Sequence, residues 1–151
     1  MSVKIGVPKE IKVLENRVGL TTESVREVVA HGHEVIVEHN AGQGIGMDDA
    51  AYVKAGAKVV GTAAEVFAAA EMIVKVKEPQ AAERAMLRPG QVLFTYLHLA
   101  PDPEQARDLV QSEAVCIAYE TVTSSSGGLP LFAPMAEVAG RRSGSRPRGW
   151  G

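Results

Sequence analysis

The sequence predicts an α/β fold: one domain built on a doubly wound, mostly parallel sheet of five or six strands. Short β-branched runs alternate with amphipathic helical segments along the chain, which is the rhythm of βαβ units. The stretches between successive runs are long enough for right-handed helical crossovers joining parallel strands. A chain of 151 residues, 46% of them apolar, forms one ordinary core and buries roughly two thirds of the surface its unfolded form exposes.

Taken in order, VKIGV (3–7) is the first strand. A helix follows with Thr21 or Thr22 as its N-cap; it buries Val25, Val28 and Val29 on one face and stops at Gly32. EVIVE (34–38) is the second strand. DDAAYVKAG (48–56) is a short helix with Asp48 as cap and Gly56 past its end, and AKVV (57–60) a short third strand. Thr62 and Glu65 have capping-box spacing ahead of a helix. MIVKV (72–76) is the next strand, residues 80–87 a helix ending at Arg-Pro-Gly, and VLFTY (92–96) a further strand. Asp102 as cap, Pro103 at the first helical position and Gln105 open a helix that runs to Ser112. VCIAYE (115–120) is the last strand, TSSSGGLP (123–130) a loop, and Pro134 suits the first turn of a helix beginning in FAPMAEVAGR.

Composition narrows the function. No apolar run reaches the ~20 residues needed to span a bilayer, and the start, MSVKIGVPKE, has neither an apolar signal core nor a cleavage site. With one cysteine there is no internal disulfide, so the expected compartment is the reducing cytoplasm. Cys116 itself reads as a small buried packing residue. Residues 1–140 hold 12 Lys and Arg against 18 Asp and Glu, an acidic body that argues against a nucleic-acid-binding face. The arginines after residue 140 come with one aromatic, Trp150, and no repeated motif, so no nucleic-acid partner is assigned there either. His31 and His33 are separated by a helix-stop glycine and have no partner at ligand spacing, so no metal is expected. Gly42, Gly44 and Gly46 follow a strand but lack the spacing of a dinucleotide loop; they read as a turn-rich connection.

Three residues stand where predicted strands run out into loops: Arg17, Lys77 and His98. In a parallel sheet ligands sit at those carboxyl ends. A guanidinium offers a planar fork to a carboxylate, an ammonium a compact charge, and an imidazole a proton acceptor near neutral pH. Singly each has an ordinary alternative. Arg17 could be a loop charge paired with Glu10 or Glu15, Lys77 a polar residue leaving a strand, and His98 a core histidine between Leu97 and Leu99.

Read together, IGVPKE (5–10), ENRVGLT (15–21), HGHEV (31–35), KVKEP (75–79), FTYLHLA (94–100), IAYETV (117–122) and LPLFAPMAEVAGR (129–141) resemble the N-terminal domain of bacterial alanine dehydrogenase. The resemblance covers residues 3–141. The α subunit of the proton-translocating nicotinamide nucleotide transhydrogenase is similar too, less so at the lysine and histidine. The resemblance implies a Rossmann- or flavodoxin-like domain and an NAD-dependent interconversion of L-alanine with pyruvate and ammonia. By matching motif positions it implies that Arg17 grips the substrate carboxylate and that Lys77 stabilises negative charge on the substrate oxygen. His98 would be the general acid/base as water adds to the imine, and Met135 an apolar wall beside the methyl group. The family's NAD sits in a second domain, so no cofactor is expected to bind this chain alone, and complete family enzymes are hexamers.

Three segments follow from that resemblance: a substrate domain over residues 1–133, the start of an interdomain helix over 134–141, and an aberrant tail over 142–151. Glycine, proline and serine in the tail oppose a helix, so it is expected to be disordered, and the chain is expected to be a truncated, catalytically incompetent version. Two other functions stay open at this stage: a non-catalytic module binding a small carboxylate or a partner, and a transhydrogenase-like fragment.

Overall fold

The computed structural model describes the backbone of residues 1–144 and side chains through Val138. It divides into two compact units, one over Met1–Ile117 and one beginning at Ala118. The strands are β1 (Lys4–Val7), β2 (Glu34–Glu38), β3 (Lys58–Val60), β4 (Met72–Val74), β5 (Val92–Thr95) and β6 (Val115–Ala118). They form one sheet in the order β3-β2-β1-β4-β5-β6. The four pairings from β3 across to β5 are parallel. This is the doubly wound order, in which the winding reverses between the two central strands.

The helices of the first unit are α1 (Thr22–Ala30), α2 (Asp49–Ala55), α3 (Ala63–Ala69), α4 (Ala81–Arg84) and α5 (Pro103–Ser112). Local chemistry starts four of them. Thr21, Asp48, Thr62 and Asp102 each accept a backbone N–H of the first turn, and Thr62 with Glu65 closes a reciprocal capping box. Gly56, at φ 105°, ends α2 in the left-handed conformation that glycine adopts without penalty. Helices cover both faces of the sheet. Val7, Val35 and Val37 are buried in one cluster with Val25 of α1 and with Tyr52 and Ala55 of α2. On the other face, a side chain at Gly6 would come within 2.7 Å of Val66 and of Ala70, the residue that caps α3. Only glycine lets α3 lie that close to the central strand.

The elements depart from the sequence reading in several places. β4 ends at Val74 rather than Val76, because the next backbone donors are drawn into a side chain described below. α4 keeps only residues 81–84 as helix; beyond it Met86 and Leu87 donate to Glu83 and Arg84 in tighter i→i+3 turns. β6 stops at Ala118 and a 3₁₀ turn takes Tyr119–Thr121, while another 3₁₀ turn forms at Gln43–Ile45. Cys116 is half-buried rather than buried.

In the second unit, Ser124 and Gly128 close the predicted loop through backbone and side-chain hydrogen bonds. Helix α6 (Ala133–Gly144) follows. It continues three residues past Arg141, into the segment expected to be disordered; residues 145–151 of that segment lie outside the described residues. Among the described residues no helix is long and apolar enough to cross a membrane.

Candidate functional site

The site follows from the sheet order. Where winding reverses, the loops leaving β1 and β4 diverge to opposite sides and open a crevice at the strands' carboxyl ends. The β1 loop carries Arg17, the segment after β4 carries Lys77, and the segment after the adjacent β5 carries His98.

Arg17 is held by a fork of charge-assisted bonds. Its Nε donates to Glu15 Oε1 and one terminal nitrogen to Oε2, both at 2.7 Å, and its backbone N–H adds a third bond to Oε1 at 2.9 Å. These bonds hold the Glu15 carboxyl below the usual carboxylate range against the opposing effect of burial, with the Lys77 charge adding in the same direction. Arg17, Glu15, Glu10, Asn16, Asn40 and Gly44 line one small cavity. Gly44 belongs to the glycine-rich stretch set aside above as a turn, and its role here is steric: a Cβ on it would lie 2.5 Å from the backbone oxygen of Asn16. The turn after β2 thus braces the residue next to Arg17.

Lys77 and His98 meet on a third side chain. The Lys77 ammonium stands 5.1 Å from the centre of the Tyr96 ring, a cation–π distance. The His98 ring stacks on Tyr96, with centroids 5.4 Å apart and planes at 15°; its Nδ1 lies 2.9 Å from the tyrosine hydroxyl. His98 is exposed, which removes the core-histidine alternative. Its backbone φ is +46°, a conformation that costs a non-glycine residue energy and recurs at functional sites. Met135 belongs to α6, in the second unit.

Behind the exposed groups lies a buried ionic cluster that sequence reading missed. Lys75, Glu10 and Glu83 are each nearly inaccessible, with side chains 1%, 2% and 2% exposed. The Lys75 ammonium is ion-paired to Glu10, donates to Glu83 Oε1 at 3.2 Å and lies 2.9 Å from Glu83 Oε2. Glu10 Oε1 also accepts the backbone N–H groups of Val76 and Lys77, at 2.5 and 2.8 Å. That diversion ends β4, since Lys75 N–H makes the last bond to Phe94 on β5. Tyr96 had a readable signal, two positions before His98 at the end of a strand. Glu10 and Glu83 had none, because they come from a distant loop and a helix.

Pyrophosphate binding at a switch point needs a tight glycine turn and open N–H donors at a helix start. Here a long loop follows β1, and the buried Glu10 carboxylate takes the N–H groups of Val76 and Lys77 at the end of β4. What the crevice does present is a guanidinium, an ammonium, an imidazole and a phenol hydroxyl, groups suited to a small oxygen-rich anion. Among the described residues no group of three or more His, Cys, Asp or Glu could hold a metal ion. His31 Nδ1 bonds the Glu27 carbonyl and His33 Nδ1 accepts the Val3 N–H.

Comparison with known proteins gives one family. Residues 6–139 match the model of the alanine dehydrogenase/PNT N-terminal domain. Alanine dehydrogenase of Halomonas elongata is 55% identical over 139 residues, which is 92% of this chain and 38% of that protein. The Mycobacterium tuberculosis enzyme is 49% identical over the same coverage. A solved L-alanine dehydrogenase superposes with a TM-score of 0.88 at 50% identity, over 93% of this chain and 38% of that one. A transhydrogenase from Sinorhizobium meliloti follows with 0.73 at 33% identity, over 78% of this chain and 35% of that one. The chain thus spans just over a third of the length of these relatives.

Proposed function

The chain belongs to the family of alanine dehydrogenase/PNT N-terminal domains, and from that premise we propose that it is the substrate-binding part of an NAD-dependent L-alanine dehydrogenase. Such an enzyme interconverts L-alanine with pyruvate and ammonia. The observation that carries this reading is the convergence of Lys77 and His98 on Tyr96, at the same end of the sheet as the β1 loop that carries Arg17. The identity of 55% and 49% to alanine dehydrogenases, against 33% to the transhydrogenase, favours alanine chemistry.

Each group then has a task. Arg17 takes the carboxylate, trading one anion for another because Glu15 already engages its fork. Lys77 places positive charge at the carbonyl or carbinolamine oxygen, where negative charge builds up. His98 takes and returns the proton of the water that adds to the imine, its Nδ1 held by the Tyr96 hydroxyl. For Met135, which belongs to the second unit, the family resemblance alone supports a role as the apolar wall beside the methyl group. NAD, held by another domain of the family's complete enzymes, would supply the hydride acceptor; the residues described above would bind, orient and move protons. The reading places the protein in the cytoplasm, in a homo-oligomer like the hexamers of complete family enzymes.

Calorimetric titration with pyruvate tests it. Weak binding is expected, and Arg17→Ala or Lys77→Ala should each weaken it by about tenfold or more, since losing a hydrogen bond to a charged group costs about 1.5–3 kcal/mol. An unchanged affinity in both variants would transfer the site elsewhere. No binding by the parent chain, together with a stable assembly state, would favour a non-catalytic interaction module.

A further inference from the structure

We propose that Glu10 is a positioning residue for Lys77, and that its buried pairing with Lys75, which Glu83 holds in turn, serves to aim the Lys77 ammonium rather than to stabilise the fold. The inference rests on the substrate-binding reading only for the purpose of the aim; the geometry stands independently.

At the end of β4, one oxygen of Glu10 replaces the ladder. It accepts two consecutive backbone donors, Val76 at 2.5 Å and Lys77 at 2.8 Å. The other oxygen faces the Lys75 ammonium, which Glu83 of α4 holds from the opposite side. Lys77 is fastened on its carbonyl side as well, where the fully buried Thr95 hydroxyl donates to it at 2.8 Å. With both its N–H and C=O tied, Lys77 has little backbone freedom, and its side chain is directed over the Tyr96 ring at 5.1 Å.

Energetics point the same way. Burying two carboxylates and one ammonium carries a desolvation cost comparable to what their mutual attraction returns, and apolar replacements of similar size are often as stable. A stability role alone would therefore be served by methionines. The groups that methionines could not replace are the two acceptor bonds at Val76 and Lys77. Those two residues lead directly into the site.

The test compares three variants of the full chain, the first two made in a Glu83→Gln background so that replacing Lys75 leaves no buried carboxylate without its partner. Glu10→Gln with Lys75→Met keeps an acceptor oxygen and removes both charges. Glu10→Met with Lys75→Met removes the acceptor as well. Glu10→Asp keeps the charge and withdraws it by one methylene. The first readout is the NMR position of the Lys77 ε-methylene protons, which the Tyr96 ring current shifts; the second is amide exchange at Val76 and Lys77. The Gln/Met pair is expected to retain the shift and the protection. The Met/Met and Asp variants are expected to lose the shift, with exchange faster by about a hundredfold as local opening becomes easier.

Pyruvate affinity should fall in those two variants by about tenfold, equivalent to about 1.4 kcal/mol, with little change in thermal midpoint for Met/Met. If Met/Met does not fold, the Asp variant decides. A folded Met/Met or Asp variant with an unshifted Lys77 resonance would overturn the proposal. If the parent chain binds no pyruvate, the substrate assignment fails, while the Lys77 resonance still settles whether Glu10 positions it.

Discussion

Lys75 and Lys77 lie two positions apart, where a continuing strand would send both side chains to one face. Instead the Lys75 side chain is 1% exposed against Glu10 and Glu83, while Lys77 reaches the Tyr96 ring. The period-2 rule fails because the strand stops at Val74. Lys77 is marked in the sequence by its place at a strand end and by family resemblance; Lys75, in the same motif, is not. Nothing local distinguishes a lysine whose partners lie 65 and 8 residues away in sequence. One consequence concerns pH. Burial pushes the Glu83 carboxyl above its ordinary value of 4.5, with the Lys75 charge opposing. A raised folded-state pKa means that folding favours the protonated acid. Its stabilising contribution is therefore complete below about 4.5 and is lost as pH rises through the folded-state value. Glu83→Gln mimics the protonated form at all pH values. Denaturant midpoints should agree between variant and parent at pH 4 and separate at pH 7, with the variant the more stable. Parallel curves across that range would mean that Glu83 folds in its charged form.

Among the elements, those with local signals were the most legible. The caps Thr21, Asp48, Thr62 and Asp102 were readable because a side chain oxygen and its N–H partner lie three residues apart. The end of β4 was not, because the oxygen that terminates it arrives from 66 residues away. The turn after β2 was legible as a turn but not as a brace, since its contact with Asn16 exists only in the folded chain. That brace yields a prediction. Gly44→Ala puts a Cβ 2.5 Å from the Asn16 backbone oxygen, and backbone cannot rotate away as a side chain tip can. The loop carrying Arg17 should shift, with a stability loss of about 1–3 kcal/mol, as for other overpacked positions, and a weaker pyruvate isotherm. Gly61→Ala is the control, because its nearest neighbour, Glu65 Oε2, would lie at 3.4 Å. Equal effects from the two substitutions would show that Gly44 braces nothing.

At the scale of the whole molecule, the sheet order sets what the chain can do by itself. A β3-β2-β1-β4-β5-β6 sheet has one central crevice, and the segments leaving β1, β4 and β5 carry Arg17, Lys77 and His98 beside it. Hydride transfer needs the nicotinamide carbon within about 3–3.5 Å of the substrate carbon. No G-x-G-x-x-G pattern occurs in the 151 residues, and Glu10 takes the N–H groups of Val76 and Lys77 at the end of β4. On the proposed reading, substrate groups and hydride acceptor belong to different parts of the enzyme, and this chain carries the first. Purified from cells that lack any longer relative, it should bind pyruvate but yield no NADH above background when given L-alanine and NAD, measured by absorbance over hours. Titration with NADH should likewise produce no saturable heat. Sustained, alanine-dependent NADH formation would overturn that division of labour.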